Sequence, residues 1–292
     1  MLGLVEPQSS GLGGGIFITY YDQKTKRKNS FEGREKAPQK LQNNIFLNDD
    51  GRPKKFFDAV IGGSSVGVPG TLDALYKVHQ KFGKLSWKEV IEPVIRFSEE
   101  GFIPSNRLIN ALKKEKYLFE IYPESNFKKI VEEPKKKFFN REYTSTLKKL
   151  SENYKSFYNT KIAEDIVKIT NQSNSPGVLN LNDMKNYKSI HEKALCHKLT
   201  NNYEVCGPNL PSSGTICVVQ SLILFEQIFA EQIKSNSSFS PDLNKVLEIL
   251  DFVYFLRDRY LGDPNYVYIN KQRLFDKDFL FKNFKSFKKD SK

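Results

Sequence analysis

Pro7–Pro38 reads PQSSGLGGGIFITYYDQKTKRKNSFEGREKAP, placing a glycine-rich turn, an apolar run and an arginine in close succession. Gly11, Gly13, Gly14 and Gly15 carry no Cβ, so this turn can bring main-chain atoms close to a neighbour or a ligand. Ile16–Tyr21 is β-branched or aromatic throughout, which predicts a strand buried on both faces. Lysines around Arg27 mark a solvated turn, and a second strand begins over Phe31–Glu35 and carries Arg34. The glycine turn is not a nucleotide loop, because it precedes a strand where a phosphate cradle would precede a helix.

Working outward, Lys36–Gly63 is turn-rich, with Asp49-Asp50-Gly51-Arg52-Pro53 as its clearest loop signal. Leu72, Leu75, Val78 and Phe82 follow at helical spacing, with Thr71 as the expected N-cap. Ser86 and Glu89 form a capping box for a second helix whose apolar side is Val90, Ile91, Val94, Ile95 and Phe97. Pro104–Leu150 is helical and charged, broken by Pro123 and Pro134. Another amphipathic helix spans Tyr158–Thr170, with Ile162, Ile166 and Ile169 on one side. Leu181–Tyr187 reads as a short helix, and Ala194–Leu199 and Tyr203–Gly207 as strands around an Asn201-Asn202 turn. A helix apolar all round covers Ile216–Phe229, and a last one Leu243–Tyr260, stopped by Gly262-Asp263-Pro264. No internal repeat or low-complexity linker interrupts the chain, so residues 1–292 are expected to form a single domain.

The formal charge is +12, from 46 basic against 34 acidic residues. Such a balance invites a nucleic-acid partner. The 37 lysines against nine arginines are scattered, however, and lack the aromatic interleaving of a nucleic-acid groove. The densest stretch, Lys271–Lys292, is expected to be a solvated surface. No run reaches the roughly 18 apolar residues of a membrane span, and Met1-Leu2-Gly3-Leu4-Val5 is too short for the apolar core of a secretory signal. Cys196 and Cys206 flank the predicted hairpin and can be bridged, but with Cys217 the count is odd. Their spacing with His191 and His197 fits no zinc pattern, so small buried thiols are the expected state and no metal or other cofactor is expected.

Several separated motifs resemble the γ-glutamyltransferases, also called glutathione hydrolases, of the N-terminal-nucleophile hydrolase type. Beyond Pro7–Pro38 they are Gly67-Val68-Pro69-Gly70-Thr71, Phe82-Gly83-Lys84-Leu85-Ser86-Trp87 running through Pro93 and Glu100-Gly101-Phe102, Pro211-Ser212-Ser213-Gly214, and Arg257-Asp258-Arg259-Tyr260-Leu261-Gly262-Asp263-Pro264. They stand in the family's order and cover roughly Val5–Val267. The resemblance implies the large-subunit part of an α/β/β/α sandwich, helix-rich and incomplete, without the family's first strand and helix and without its small subunit. A buried strand short of a neighbour exposes unpaired backbone groups, so the chain alone is expected to be marginal or aggregation-prone.

The resemblance also implies a proenzyme that cuts itself to expose an N-terminal threonine. That hydroxyl attacks the γ-glutamyl amide of glutathione, its own α-amino group takes the proton, and water or an amine then releases the glutamyl group. The family's nucleophile lies in a Thr-Thr-His-like run, which this sequence lacks, so this chain alone is expected to be inactive. Its partners would be the small subunit and a γ-glutamyl compound. Family members work in the periplasm or outside the cell. Within the chain, the arginine of Arg34-Glu35-Lys36-Ala37-Pro38 is expected to grip the substrate α-carboxylate. A planar guanidinium holds a carboxylate through two parallel hydrogen bonds, which a lysine cannot reproduce. The competing reading for Arg34 is an ion pair with Glu35 or Glu32. Ser212-Ser213-Gly214 looks nucleophilic but has no histidine placed to activate it, so it reads as a helix cap. None of His79, His191 and His197 pairs with a nearby Ser or Cys. Two alternatives to the γ-glutamyl enzyme stand: a cephalosporin-acylase-like amide hydrolase, and a non-catalytic remnant.

Overall fold

A computed structural model describes residues 1–173, 175–200, 202–235 and 239–290. Residues Met1–Ile16 and Gly33–Ile190 form one unit, and Phe17–Glu32 and His191–Lys292 a second. No helix among the described residues is long and apolar enough to cross a membrane.

The first unit is helical. Helix α1 (Thr71–Phe82) turns Leu72 and Ala74 inward. Its N-cap is Gly70, not Thr71, whose buried hydroxyl makes no cap bond. The first amides of α1 are taken instead by a backbone carbonyl, since Gly14 O accepts from both Gly70 N and Thr71 N at 3.0 Å. Helix α2 (Trp87–Glu100) starts at the expected capping box, with Glu89 N donating to Ser86 Oγ at 3.3 Å and Ser86 N to Glu89 Oε2 at 2.7 Å. It stops at Gly101, whose φ of 68° suits a residue without a Cβ. The charged region beyond resolves into α3 (Asn106–Lys114) and α4 (Arg141–Glu152), with short turns of helix between them.

Helix α2 packs on α4, where Ser98 and Thr144 share a buried hydroxyl contact of 2.6 Å and Trp87 Nε1 donates to Leu150 O at 2.9 Å. Helices α5 (Lys161–Asn171) and α6 (Leu181–Asn186) complete a core of Val68, Leu72, Leu150, Phe157, Tyr158 and Met184. Ile162 and Ile166 pack against this core, but Ile169 is 70% exposed, against expectation. In that last turn Thr170 is the residue turned inward, and its carbonyl accepts from Gly177 N at 2.9 Å.

The second unit holds the strands. Strands β1 (Ile16–Asp22), β2 (Arg27–Gly33) and β3 (Ile190–Lys193) form one sheet in that order, and β4 (Leu195–Lys198) pairs antiparallel with β5 (Glu204–Gly207). The sheet brings two corrections. Central β2 buries Ser30, Phe31 and Gly33, whereas no residue of β1, at the sheet's edge, is fully buried, so β1 is not the doubly covered strand its composition predicts. Strand β2 also begins at Arg27 and ends before Arg34. Of the expected Asn201-Asn202 turn, Asn201 lies outside the described residues, and Asn202 takes a φ of 65°.

Helices α7 (Gly214–Ile228) and α8 (Leu243–Tyr260) lie close to their predicted bounds. A further helix, α9 (Lys277–Asp290), occupies the stretch read as solvated charge. Its lysines alternate with Leu280, Phe281, Phe284 and Phe287, which pack with Ile223, Leu224, Phe252, Val253 and Leu256.

Cys196 and Cys206 stand opposite each other in the β4–β5 register and form a disulfide, the bridge that the sequence leaves open. Cys217 is free and half-buried, and burial pushes its thiol pKa up. His197, on β4 beside the Phe275 ring, has its pKa lowered by burial and then by the nearby Lys277 ammonium. The folded state thus favours neutral His197. Its contribution to stability is complete above the ordinary histidine value of about 6.5 and is lost as the pH falls below it, because only the unfolded chain then gains the proton. Thermal melts between pH 5 and 7.5 should show a shallower acid slope for His197→Gln than for wild type; identical slopes would overturn this assignment.

Candidate functional site

The residues around Arg34 are close-packed backbone, and glycine explains how. At the end of β2, a Cβ on Gly33 would fall 2.6 Å from Ala74 Cβ and 2.8 Å from Gly70 O. One on Gly70 would fall 2.0 Å from the Tyr187 hydroxyl and 2.3 Å from Gly33 O. The β2 end, the start of α1 and Tyr187 therefore meet at distances that only glycine allows. At the glycine turn, a Cβ on Gly15 would fall 2.2 Å from Glu35 Oε2 and 3.0 Å from Arg34 Cα, so the Glu35 carboxylate lies against that turn. Lys36 then pairs with Val68, N to O at 3.2 Å and O to N at 2.8 Å, which draws the Gly67–Thr71 motif alongside.

The result is an open depression of about 460 Å³ lined by Gly13, the four residues Arg34–Ala37, and Ser65, Val66 and Gly67. Arg34 is exposed at this depression, directly after the strand. Among the described residues its guanidinium makes no hydrogen bond or ion pair, so the pairing with Glu35 or Glu32 is not formed. Its backbone is fixed instead, with the carbonyl accepting from Tyr187 Oη at 2.7 Å. Lys36 Nζ reaches Lys188 O at 3.2 Å and lies 5.3 Å from the centre of the Tyr187 ring. A guanidinium held by its backbone with all its donors free suits a planar anion such as a carboxylate.

The glycine turn, Arg34 and the Gly67–Thr71 motif thus come together in the first unit, although the sequence separates them. Tyr187 is the member that sequence reasoning missed. It directly follows the short helix α6, but nothing local signals a partner 153 residues away.

Elsewhere the candidates have other roles. Ser213 holds the N-cap position of α7 without a side-chain cap bond, and its hydroxyl accepts from Arg257 Nε at 3.2 Å. This bond joins the Ser212–Gly214 and Arg257–Pro264 motifs within the second unit. Thr215 is buried, and its hydroxyl donates to Pro208 O at 2.7 Å. His79 Nε2 meets Leu85 O at 2.9 Å, and His191 Nε2 meets Asn29 Oδ1 at 3.0 Å.

A family model described as gamma-glutamyltranspeptidase matches residues 1–292. The chain is 28% identical over 283 residues to the glutathione hydrolase proenzyme of Bacillus subtilis (strain 168), a match covering 96% of this chain and 47% of that protein. It is 29% identical over 272 residues to scoloptoxin SSD14 of Scolopendra dehaani, covering 90% and 45%. The chain therefore spans about half the length of the curated relatives it matches. Among solved structures, the gamma-glutamyltranspeptidase from Pseudomonas nitroreducens complexed with L-DON matches with a TM-score of 0.86 at 25% identity, over 98% of this chain and 84% of that one. The expected N-terminal-nucleophile-hydrolase fold is thus borne out. The motifs gathered at Arg34, the shared fold and the match along its whole length make this chain a member of the gamma-glutamyltranspeptidase family.

Proposed function

We propose that this chain supplies the large-subunit part of a γ-glutamyltransferase or glutathione hydrolase, with Arg34 gripping the α-carboxylate of the γ-glutamyl donor. The observation that carries this reading is the Arg34 guanidinium, exposed at an open depression and free of intramolecular partners among the described residues. The nucleophile, an N-terminal threonine, would come from a small subunit, because Thr215, the last threonine here, is buried and hydrogen-bonded. Alone, the chain would bind without turning over. A periplasmic or extracellular location fits this reading, and the Cys196–Cys206 disulfide supports an oxidising compartment.

The test is release of a chromogenic anilide from its γ-glutamyl conjugate, by this chain alone and after assembly with a small subunit from a close relative. Activity only on assembly is expected; turnover by the chain alone would place the nucleophile within it and overturn the reading. In the assembled enzyme Arg34→Lys should raise KM for glutathione about tenfold while self-cleavage of the proenzyme continues, since a lysine keeps the charge but not the paired bonds. An unchanged KM would remove Arg34 from the binding site.

A further inference from the structure

We infer that Tyr187 is a positioning residue for donor recognition: its hydroxyl, bound to the Arg34 carbonyl, holds the guanidinium where a donor α-carboxylate can meet it. This rests on the binding role proposed for Arg34.

Arg34 follows the last residue of β2, and among the described residues its guanidinium makes no hydrogen bond or ion pair, so what is fixed is the point and direction in which its side chain leaves the backbone. One clamp on that backbone is the Lys36–Val68 pairing. The other is Tyr187, whose hydroxyl donates to Arg34 O at 2.7 Å.

Tyr187 is itself held firmly. Its side chain is 7% exposed, and its ring stacks parallel to Tyr158 with centres 6.1 Å apart. Tyr158 in turn donates to Pro69 O at 3.2 Å, and burial keeps its phenol pKa well above the ordinary value, so it stays a donor. Two residues beyond Tyr187, Ser189 offers both its N–H and its hydroxyl to Asp73 Oδ2, at 2.8 and 2.6 Å, and its carbonyl accepts from Lys77. The tyrosine is thus tied to α1 on one side and to the Tyr158 ring on the other. The contact it makes with this rigidity is to the residue that needs aiming, and Gly70 leaves room for the hydroxyl to reach it.

A hydroxyl used only for packing would affect every ligand alike. A positioning hydroxyl affects only ligands that engage the guanidinium, and this distinction sets the experiment. The ¹⁵N-labelled chain, as wild type, Tyr187→Phe and Arg34→Lys, is assembled with a small subunit from a close relative whose N-terminal threonine is replaced by alanine, and is titrated with glutathione and with its analogue in which the glutamyl α-carboxylate is an α-amide. The Arg34 Nε–H signal is identified by its loss in Arg34→Lys. Phenylalanine keeps the ring and its stacking, so the fold is retained, and a thermal melt checks it.

In Tyr187→Phe, glutathione should bind about fivefold more weakly. The α-amide analogue should bind as it does to wild type, and the Arg34 Nε–H shift on adding glutathione should shrink. Glutathione bound as tightly as by wild type would overturn the inference, and so would equal weakening of both ligands. The two readings fail separately. Wild-type binding by Arg34→Lys would remove the role of Arg34 itself, whereas weakened Arg34→Lys beside unaffected Tyr187→Phe would remove only the role of Tyr187.

Discussion

Gly70→Ala should destabilise the protein by about 3 kcal/mol, among the larger effects of a single added methyl group, because the methyl has nowhere to go. Its two nearest neighbours would be the Tyr187 hydroxyl at 2.0 Å and the Gly33 carbonyl at 2.3 Å, one on a buried ring and the other on the strand that leads to Arg34. Gly70 has a φ of −121°, which any residue can adopt, so the penalty is steric and not conformational. Either the tyrosine leaves the Arg34 carbonyl or Gly33 withdraws from Gly70, and both disturb the backbone of Arg34. Urea denaturation should show a lower midpoint with an unchanged slope. A loss below about 1 kcal/mol would mean that these three segments part readily, contrary to the packing described.

Phe252→Ala should cost about 3–5 kcal/mol, the range for removing a fully buried aromatic side chain. Phe252 is 0% exposed and projects from α8 against α9, its ring 5.4 Å from that of Phe284 and 5.5 Å from that of Phe287. Phe255, one turn on and 41% exposed, is the control, and its replacement by alanine should cost about 1 kcal/mol. Chemical denaturation of the two variants side by side checks the ordering. Similar losses would mean that α9 contributes no cover to Phe252.

Much of the local structure was legible because its signals are local. Ser86 and Glu89 lie three residues apart, and both halves of their capping box form. The α8 bounds follow from its apolar spacing and the Gly262-Asp263-Pro264 stop. What was misread depends on distant partners. The apolar run of β1 looks doubly covered, but the order of the sheet leaves it at an edge. Thr71 looks like a cap, yet the Gly14 carbonyl, more than fifty residues earlier, takes the amides. Lys277–Asp290 reads as solvated charge because its lysines are what composition counts, whereas its phenylalanines meet their partners only through α7 and α8. At the candidate site, Arg34 was legible as part of a motif. Tyr187 was not, because a hydroxyl bound to a carbonyl leaves no mark on the sequence around either residue.

The Cys196–Cys206 bond has a bearing on how the small hairpin keeps its identity. Strands of four residues such as β4 and β5 hold their alignment weakly, and a slip of one position would turn every side chain to the opposite face. Because the two sulfurs join residues that already face each other, the aligned pairing is written into the covalent skeleton. Val205 then has only one way to point, toward the Leu224 and Phe252 cluster, and the hairpin is delivered to its core with its two faces already told apart.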